Sequence, residues 1–164
     1  MELWDVYDPC FKKTGRVHER GKVLAPLSYH LVVHIYPVND QKEILIQKRS
    51  ETVAWKPGIW AATGGSAVQG EDMYEACVRE LSEELGILAD EKCMELYALL
   101  KRENSYNAVW IVHTNIKISE LTLQTEEVAD AKWATIEDIK KMVEHEEFHS
   151  YPYLDMLFDY INEK

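Results

Sequence analysis

At 164 residues, 46% of them hydrophobic and 29% charged, the chain is long enough for one domain with a buried core. Its 18 lysines and arginines against 29 acids leave a net charge of −11, which argues against nucleic acid or an anionic membrane as a general partner. Cys10, Cys77 and Cys93 form no CxxC pair and are odd in number, no basic-plus-apolar leader opens the chain, and no apolar stretch approaches spanning length, so a reduced, cytoplasmic protein is expected.

Residues 2–8 and 16–23 read as extended segments joined near Thr14-Gly15 and lying over the domain edge. Alternation makes residues 30–38 a strand, with Leu31, Val33 and Ile35 on one face and His30, Val32 and His34 on the other. The two histidines are read as partly buried structural residues rather than metal ligands. Asn39-Asp40 turns the chain into a second strand at 43–48, and Pro57-Gly58 breaks the loop before residues 59–63. A helix is expected over about 71–85, strands over 94–102 and 108–118 around Glu103-Asn104-Ser105, and a shorter strand over 128–134. Thr135 and Asp138 resemble a capping box opening a helix to about Glu147; Ser150 is expected to cap a last helix with Pro152 in its first turn. Strands interleaved with one central and two terminal helices predict a mixed sheet covered on both faces.

The central helix carries the chemistry. At about 100° per residue, Glu80, Glu83 and Glu84 fall within an arc of roughly 100°, while Tyr74, Cys77, Val78, Leu81 and Leu85 form an apolar stripe on the opposite face. Like charges at i, i+3 and i+4 repel, so a cation is expected among them. All-oxygen ligands suit Mg²⁺, with Mn²⁺ an alternative, and Mg²⁺ bound in this way usually bridges to substrate phosphates.

These residues resemble the Nudix box, G-x5-E-x7-R-E-U-x-E-E-x-G-U with U aliphatic, at Gly65, Glu71, Arg79, Glu80, Leu81, Glu83, Glu84, Gly86 and Ile87, without departure. The resemblance implies an α/β Nudix-type α/β/α sandwich with a mixed β-sheet. It covers roughly residues 28–147, so residues 1–164 are expected to form a single Nudix domain with an N-terminal extension (1–27) and a C-terminal helix (148–164). It also implies Mg²⁺-dependent hydrolysis of a small-molecule diphosphate: a nucleoside diphosphate linked to another moiety, or a related organic diphosphate. Glu80, Glu83 and Glu84 would hold the metal, with the Gly65 carbonyl a further ligand; Arg79 would orient them. Glu71 would lie at the helix start, near the substrate, where a carboxylate favours the macrodipole.

Outside the box, Glu126-Glu127-Val128 resembles the family segment that often supplies a ligand or general base, and Glu127 matches it better than Glu126. Lys48 and Arg49, closing the second strand, are placed to meet phosphate or to form a solvated strand end. Trp60 and Tyr106 are candidates to stack on a base, or else core residues. A homodimer is left open as a further partner. Residues 4–8, Thr14-Gly15, Arg20-Gly21 and 57–60 resemble the isopentenyl-diphosphate-isomerase-like branch of the family. Isomerases of that branch place a cysteine and a histidine just before the metal helix, and collect metal-binding histidines upstream; His18 and His30 could be offered, but their separation is longer than in that pattern. Residues 63–67 contain neither a cysteine nor a histidine, and the box here is complete, so hydrolysis is the expected chemistry. An isomerase-like enzyme and a non-catalytic nucleotide-binding module are the alternatives.

Overall fold

A computed structural model describes residues 1–164. The alternating strand β3 (His30–Val38) is the hub of a seven-stranded mixed sheet. It runs parallel to β8 (Ser105–His113) along its whole length, from His30↔Ser105 to Val38↔His113, and β7 (Met94–Lys101) adds to β8 antiparallel. On its other edge β3 pairs with β4 (Ile44–Arg49) only at Val38↔Ile44, after which the two strands part. The gap is filled from both sides: β5 (Trp60–Ala61) pairs with β4, and β6 (Thr63–Ser66) pairs with β3 through Gly64 and Gly65. Strand β9 (Val128–Ala134) closes the far edge of β4.

The two faces follow from the alternation along β3 and β4. Leu31, Val33, Ile35 and Leu45 form a core with Ala76, Cys77, Leu81 and Leu85 of helix α1 (Met73–Leu85). Tyr36, Val38, Ile44 and Ile46 pack on the other side against helices α2 (Ile136–Glu144) and α3 (Leu154–Asn162). The expected α/β/α layering with a mixed sheet is therefore present. On α1 the buried stripe is shifted by part of a turn, with Ala76 fully buried and Val78 only partly.

Four local expectations are corrected. The N-terminal hairpin of β1 (Leu3–Tyr7) and β2 (Lys13–Glu19) turns at residues 8–12, not at Thr14-Gly15. Asp8 there accepts hydrogen bonds from the backbone of Cys10 and Lys12, an Asx-type turn, and Phe11 takes a positive φ of 60°. Helix α1 starts after Asp72, which forms a capping box with Glu75, so Glu71 belongs to the preceding loop. Strand β8 starts at Ser105, because Arg102 N–H bonds to the Ser105 carbonyl and closes a tight hairpin, and it ends at His113. Helix α3 starts at Leu154 after Tyr153, which makes no side-chain cap, so Ser150 and Pro152 precede it. The β1–β2 hairpin docks on the loop entering α1: Gln69 N–H bonds to the Leu3 carbonyl (2.8 Å) and Gly70 N–H to the Asp5 carboxylate (2.9 Å).

Candidate active site

Helix α1 is held at both ends by its own sequence. The Asp72–Glu75 box satisfies its first backbone donors, and Gly86, in the left-handed region at φ 69°, ends it with its N–H on the Ser82 carbonyl. The caps set where α1 begins and ends, and the packing of Ala76, Cys77, Leu81 and Leu85 on Leu31, Val33 and Ile35 fixes its azimuth and so the direction in which its glutamates point.

Arg79 gathers the acids. Its Nε and Nη2 grip both oxygens of Glu71 (2.6 and 3.1 Å), Nη1 reaches Glu80 (2.9 Å) and Glu83 (3.1 Å), and Nη2 also donates to the Ser66 carbonyl (3.1 Å). The Glu71 carboxylate accepts in turn from Val68 N–H (3.0 Å). Glu71 thus lies behind Arg79 as its anchor. Glu80 packs over the backbone of Gly65, where a Cβ would lie only 2.8 Å from its Cδ. Any side chain at 65 would expel the carboxylate, which is why a glycine stands there.

Glu84 is held by a relay that sequence reasoning did not anticipate. Thr63 donates its hydroxyl to Gln47 Oε1 (3.0 Å), and Gln47 Nε2 donates to Glu84 (2.9 Å), all three side chains being buried. The relay spans the gap where β3 and β4 part. The one available signal was a glutamine directly following the apolar run Ile44-Leu45-Ile46.

The electrostatics follow from burial. Burial pushes the Glu80 carboxyl up to about 7 against the opposing pull of Arg79. It pushes Glu84 up to about 8, helped by the nearby charges of Glu80 and Glu127 and resisted by hydrogen bonds from Gln47 and Gly64. Glu83 is half exposed, and no three of the acids converge in this geometry, because Arg79 draws Glu80 and Glu83 while Gln47 draws Glu84. The donor set nevertheless fits a divalent cation. It is all oxygen, it is partly desolvated, and Glu84 has no positive side chain bonded to it.

Other expected residues fall around this centre. Glu127 is half-buried at the start of β9, close enough to Glu84 to raise its pKa, whereas Glu126 is exposed. Arg49 donates Nε to the Trp55 carbonyl (2.7 Å), with its guanidinium 4.9 Å from the centre of the Trp55 ring. Lys48 pairs across the strands with Trp60, whose ring carries the Lys132 ammonium at 4.5 Å. Tyr106 is core, 5% exposed among Tyr7, Phe11 and Tyr29, with its hydroxyl on the Asp8 carbonyl. His30 stacks on Trp4 at 4.0 Å and His34 bonds Tyr153 at 2.6 Å, both structural placements.

A family model described as the NUDIX domain matches residues 28–155. A relative from Listeria monocytogenes, named as an uncharacterised Nudix hydrolase, is 37% identical over 99% of this chain and 96% of its own length. The crystal structure of DR0079 from Deinococcus radiodurans superposes with a TM-score of 0.78 at 19% identity, covering 99% of this chain and 98% of that one. The NUDIX domain of NrtR from Shewanella oneidensis, complexed with ADP ribose, gives 0.63 at 17% identity over 89% and 92% of the two chains. The chain belongs to the Nudix family. It is a hydrolase acting on phosphoric anhydride bonds. No helix is long and apolar enough to cross a membrane.

Proposed function

We propose that this Nudix hydrolase is a pyrophosphohydrolase dependent on a divalent cation, Mg²⁺ or alternatively Mn²⁺, that cleaves a nucleoside diphosphate linked to another moiety. The observation that carries the reading is the pair of buried carboxylates, Glu80 and Glu84, stacked against the Gly64-Gly65 backbone with only one guanidinium among the surrounding acids. Two such groups are costly to ionise without added positive charge. The bound ADP ribose of the NrtR domain supports the substrate class by analogy.

Each residue has a role in this reading. Glu80, Glu83, Glu84 and the Gly65 carbonyl would hold the cation, which would neutralise the diphosphate and favour ionisation of water. Arg79 aligns Glu80 and Glu83, and Glu71 holds Arg79. Glu127 takes the proton as the water oxygen bonds to phosphorus and the P–O anhydride bond breaks, leaving two phosphate esters. Arg49 pairs with phosphate oxygens. The N-terminal hairpin and α3 belong to the same single domain as the core. Isomerase chemistry is disfavoured by Cys77, which is fully buried with its thiol pushed up to about 12, mainly by burial.

The test is a screen of nucleotide-linked and other organic diphosphates with Mg²⁺ and with Mn²⁺, reading monophosphate and phosphate products. Cleavage of at least one nucleotide-linked diphosphate, only with a cation, is expected. Cleavage unaffected by chelation, or of no diphosphate at all, would overturn the proposal.

A further inference from the structure

A run of aromatic rings leads from the surface to the carboxylates. Trp55, 47% exposed on the loop between β4 and β5, meets the His149 ring edge-on at 4.8 Å. His149 meets Tyr151 at 4.5 Å and 90°. The Tyr151 hydroxyl accepts from Ala62 N–H (3.2 Å) and lies close enough to both Arg49 and Glu84 to feel their charges. Chain segments far apart in sequence, 49–55 and 149–151, are thus brought to one side of Glu84.

The cation in this run has no acidic partner. Arg49 uses only Nε, on the Trp55 carbonyl, and no carboxylate pairs with it. Tyr151, within reach of both Arg49 and Glu84, puts this guanidinium on the side of the molecule that carries the carboxylates. Lys56, next to Trp55, is likewise without an acidic partner; burial disfavours protonation of His149, and the nearby Lys56 charge adds to this. A ligand suited to this wall is planar and aromatic where it meets Trp55 and His149, and anionic where it meets Arg49.

We propose that Trp55 and His149, with Arg49, form the subsite for the nucleoside monophosphate half of the substrate, Trp55 stacking on the base and Arg49 gripping the phosphate that leads to the metal site. The assignment rests on the pyrophosphohydrolase reading and specifies which half of the substrate this wall recognises. It places Trp55, not Trp60, as the stacking residue. Exposed Trp55 can be changed without opening the core, and a guanidinium already parked over its ring leaves it pre-oriented for a second planar partner.

The test uses AMP, which carries a base and a phosphate but no anhydride, so that its binding does not depend on hydrolysis. Binding of AMP and of inorganic pyrophosphate would be measured by calorimetry with Mg²⁺ on the wild type, Trp55→Ala and Trp55→Phe, with thermal unfolding as control. Trp55→Ala is expected to weaken AMP by about 5- to 150-fold, the loss typical of one base–aromatic stack, with pyrophosphate unchanged and Trp55→Phe restoring most of the affinity. Equal AMP affinity in wild type and Trp55→Ala, equal loss for both ligands, or no AMP binding by the wild type would overturn the subsite. A chain that binds AMP through Trp55 but cleaves no diphosphate would refute the hydrolytic reading alone. Wild-type KM for a nucleotide diphosphate in Trp55→Ala would refute the subsite alone.

Discussion

Glu84→Gln should stabilise the metal-free protein while disabling it. Glu84 is 5% exposed and its carboxyl is raised from 4.5 to about 8, chiefly by burial. A group whose folded pKa is raised contributes stability that is fully present below the unfolded value and is lost as pH rises through the folded one. The wild type therefore loses stability between pH 4.5 and about 8, and the glutamine variant does not. At pH 7 the relevant span is the 2.5 units above 4.5, or about 3 kcal/mol at about 1.4 kcal/mol per unit, an order-of-magnitude upper bound. Against this, the carboxamide that replaces the Glu84 carboxylate can accept from Gln47 as before, but its nitrogen faces the Gly64 N–H, costing about 1 kcal/mol. The net gain is about 1–2 kcal/mol, or a Tm about 2–8 °C higher for a chain of this size. Urea denaturation with EDTA at pH 5.5, 7.0 and 8.5 measures it: the gap between variant and wild type should widen with pH. A variant less stable than wild type at pH 8.5, or a gap independent of pH, would refute the burial argument.

Three further outcomes are expected. Glu127→Gln should lower kcat far more than it changes KM, while exposed Glu126→Gln does little; steady-state kinetics on both variants separates a base at 127 from one at 126. Gly65→Ala drives a Cβ into the Glu80 carboxylate, the far end of a flexible side chain that can swing aside, so calorimetry should show weakened Mg²⁺ binding while unfolding measurements show little change in stability. Isopentenyl diphosphate incubated with enzyme and Mg²⁺ in D₂O should show no new allylic methyl signals by proton NMR, because no exposed thiol borders the site; deuterium incorporation lost in Glu83→Gln would contradict this.

The parts of the fold that were legible in the sequence are those written in local terms. Helix α1 and its stop at Gly86 follow from periodicity and cap chemistry, and Val128–Ala134 matches the expected strand residue for residue. Local chemistry also failed in places: Asp8 out-competed Thr14-Gly15 as the turn because its carboxylate reaches two backbone donors. Ser150 did not cap α3, since Tyr151 and Tyr153 are instead drawn into the buried ring cluster with His34 and Tyr36. Within the site, the acidic partners of Arg79 lie on one helix and the loop before it, and the crowding of acids announced them. The Thr63–Gln47–Glu84 relay and the approach of Trp55 to His149 depend on the parting of β3 and β4 and on the return of the chain at 147–151. Such long-range placements leave no spacing in the sequence to read.

The claim that the α1 carboxylates hold a catalytic cation is tested most directly at Glu83, which is half exposed and bonded only to Arg79, so that its replacement does not disturb the core. Hydrolysis of a nucleotide-linked diphosphate would be followed at saturating Mg²⁺ for the wild type and Glu83→Gln, alongside their Tm. A loss of about 10²- to 10⁴-fold in kcat is expected, with Tm unchanged or raised; full activity in Glu83→Gln would mean that these carboxylates hold no catalytic cation.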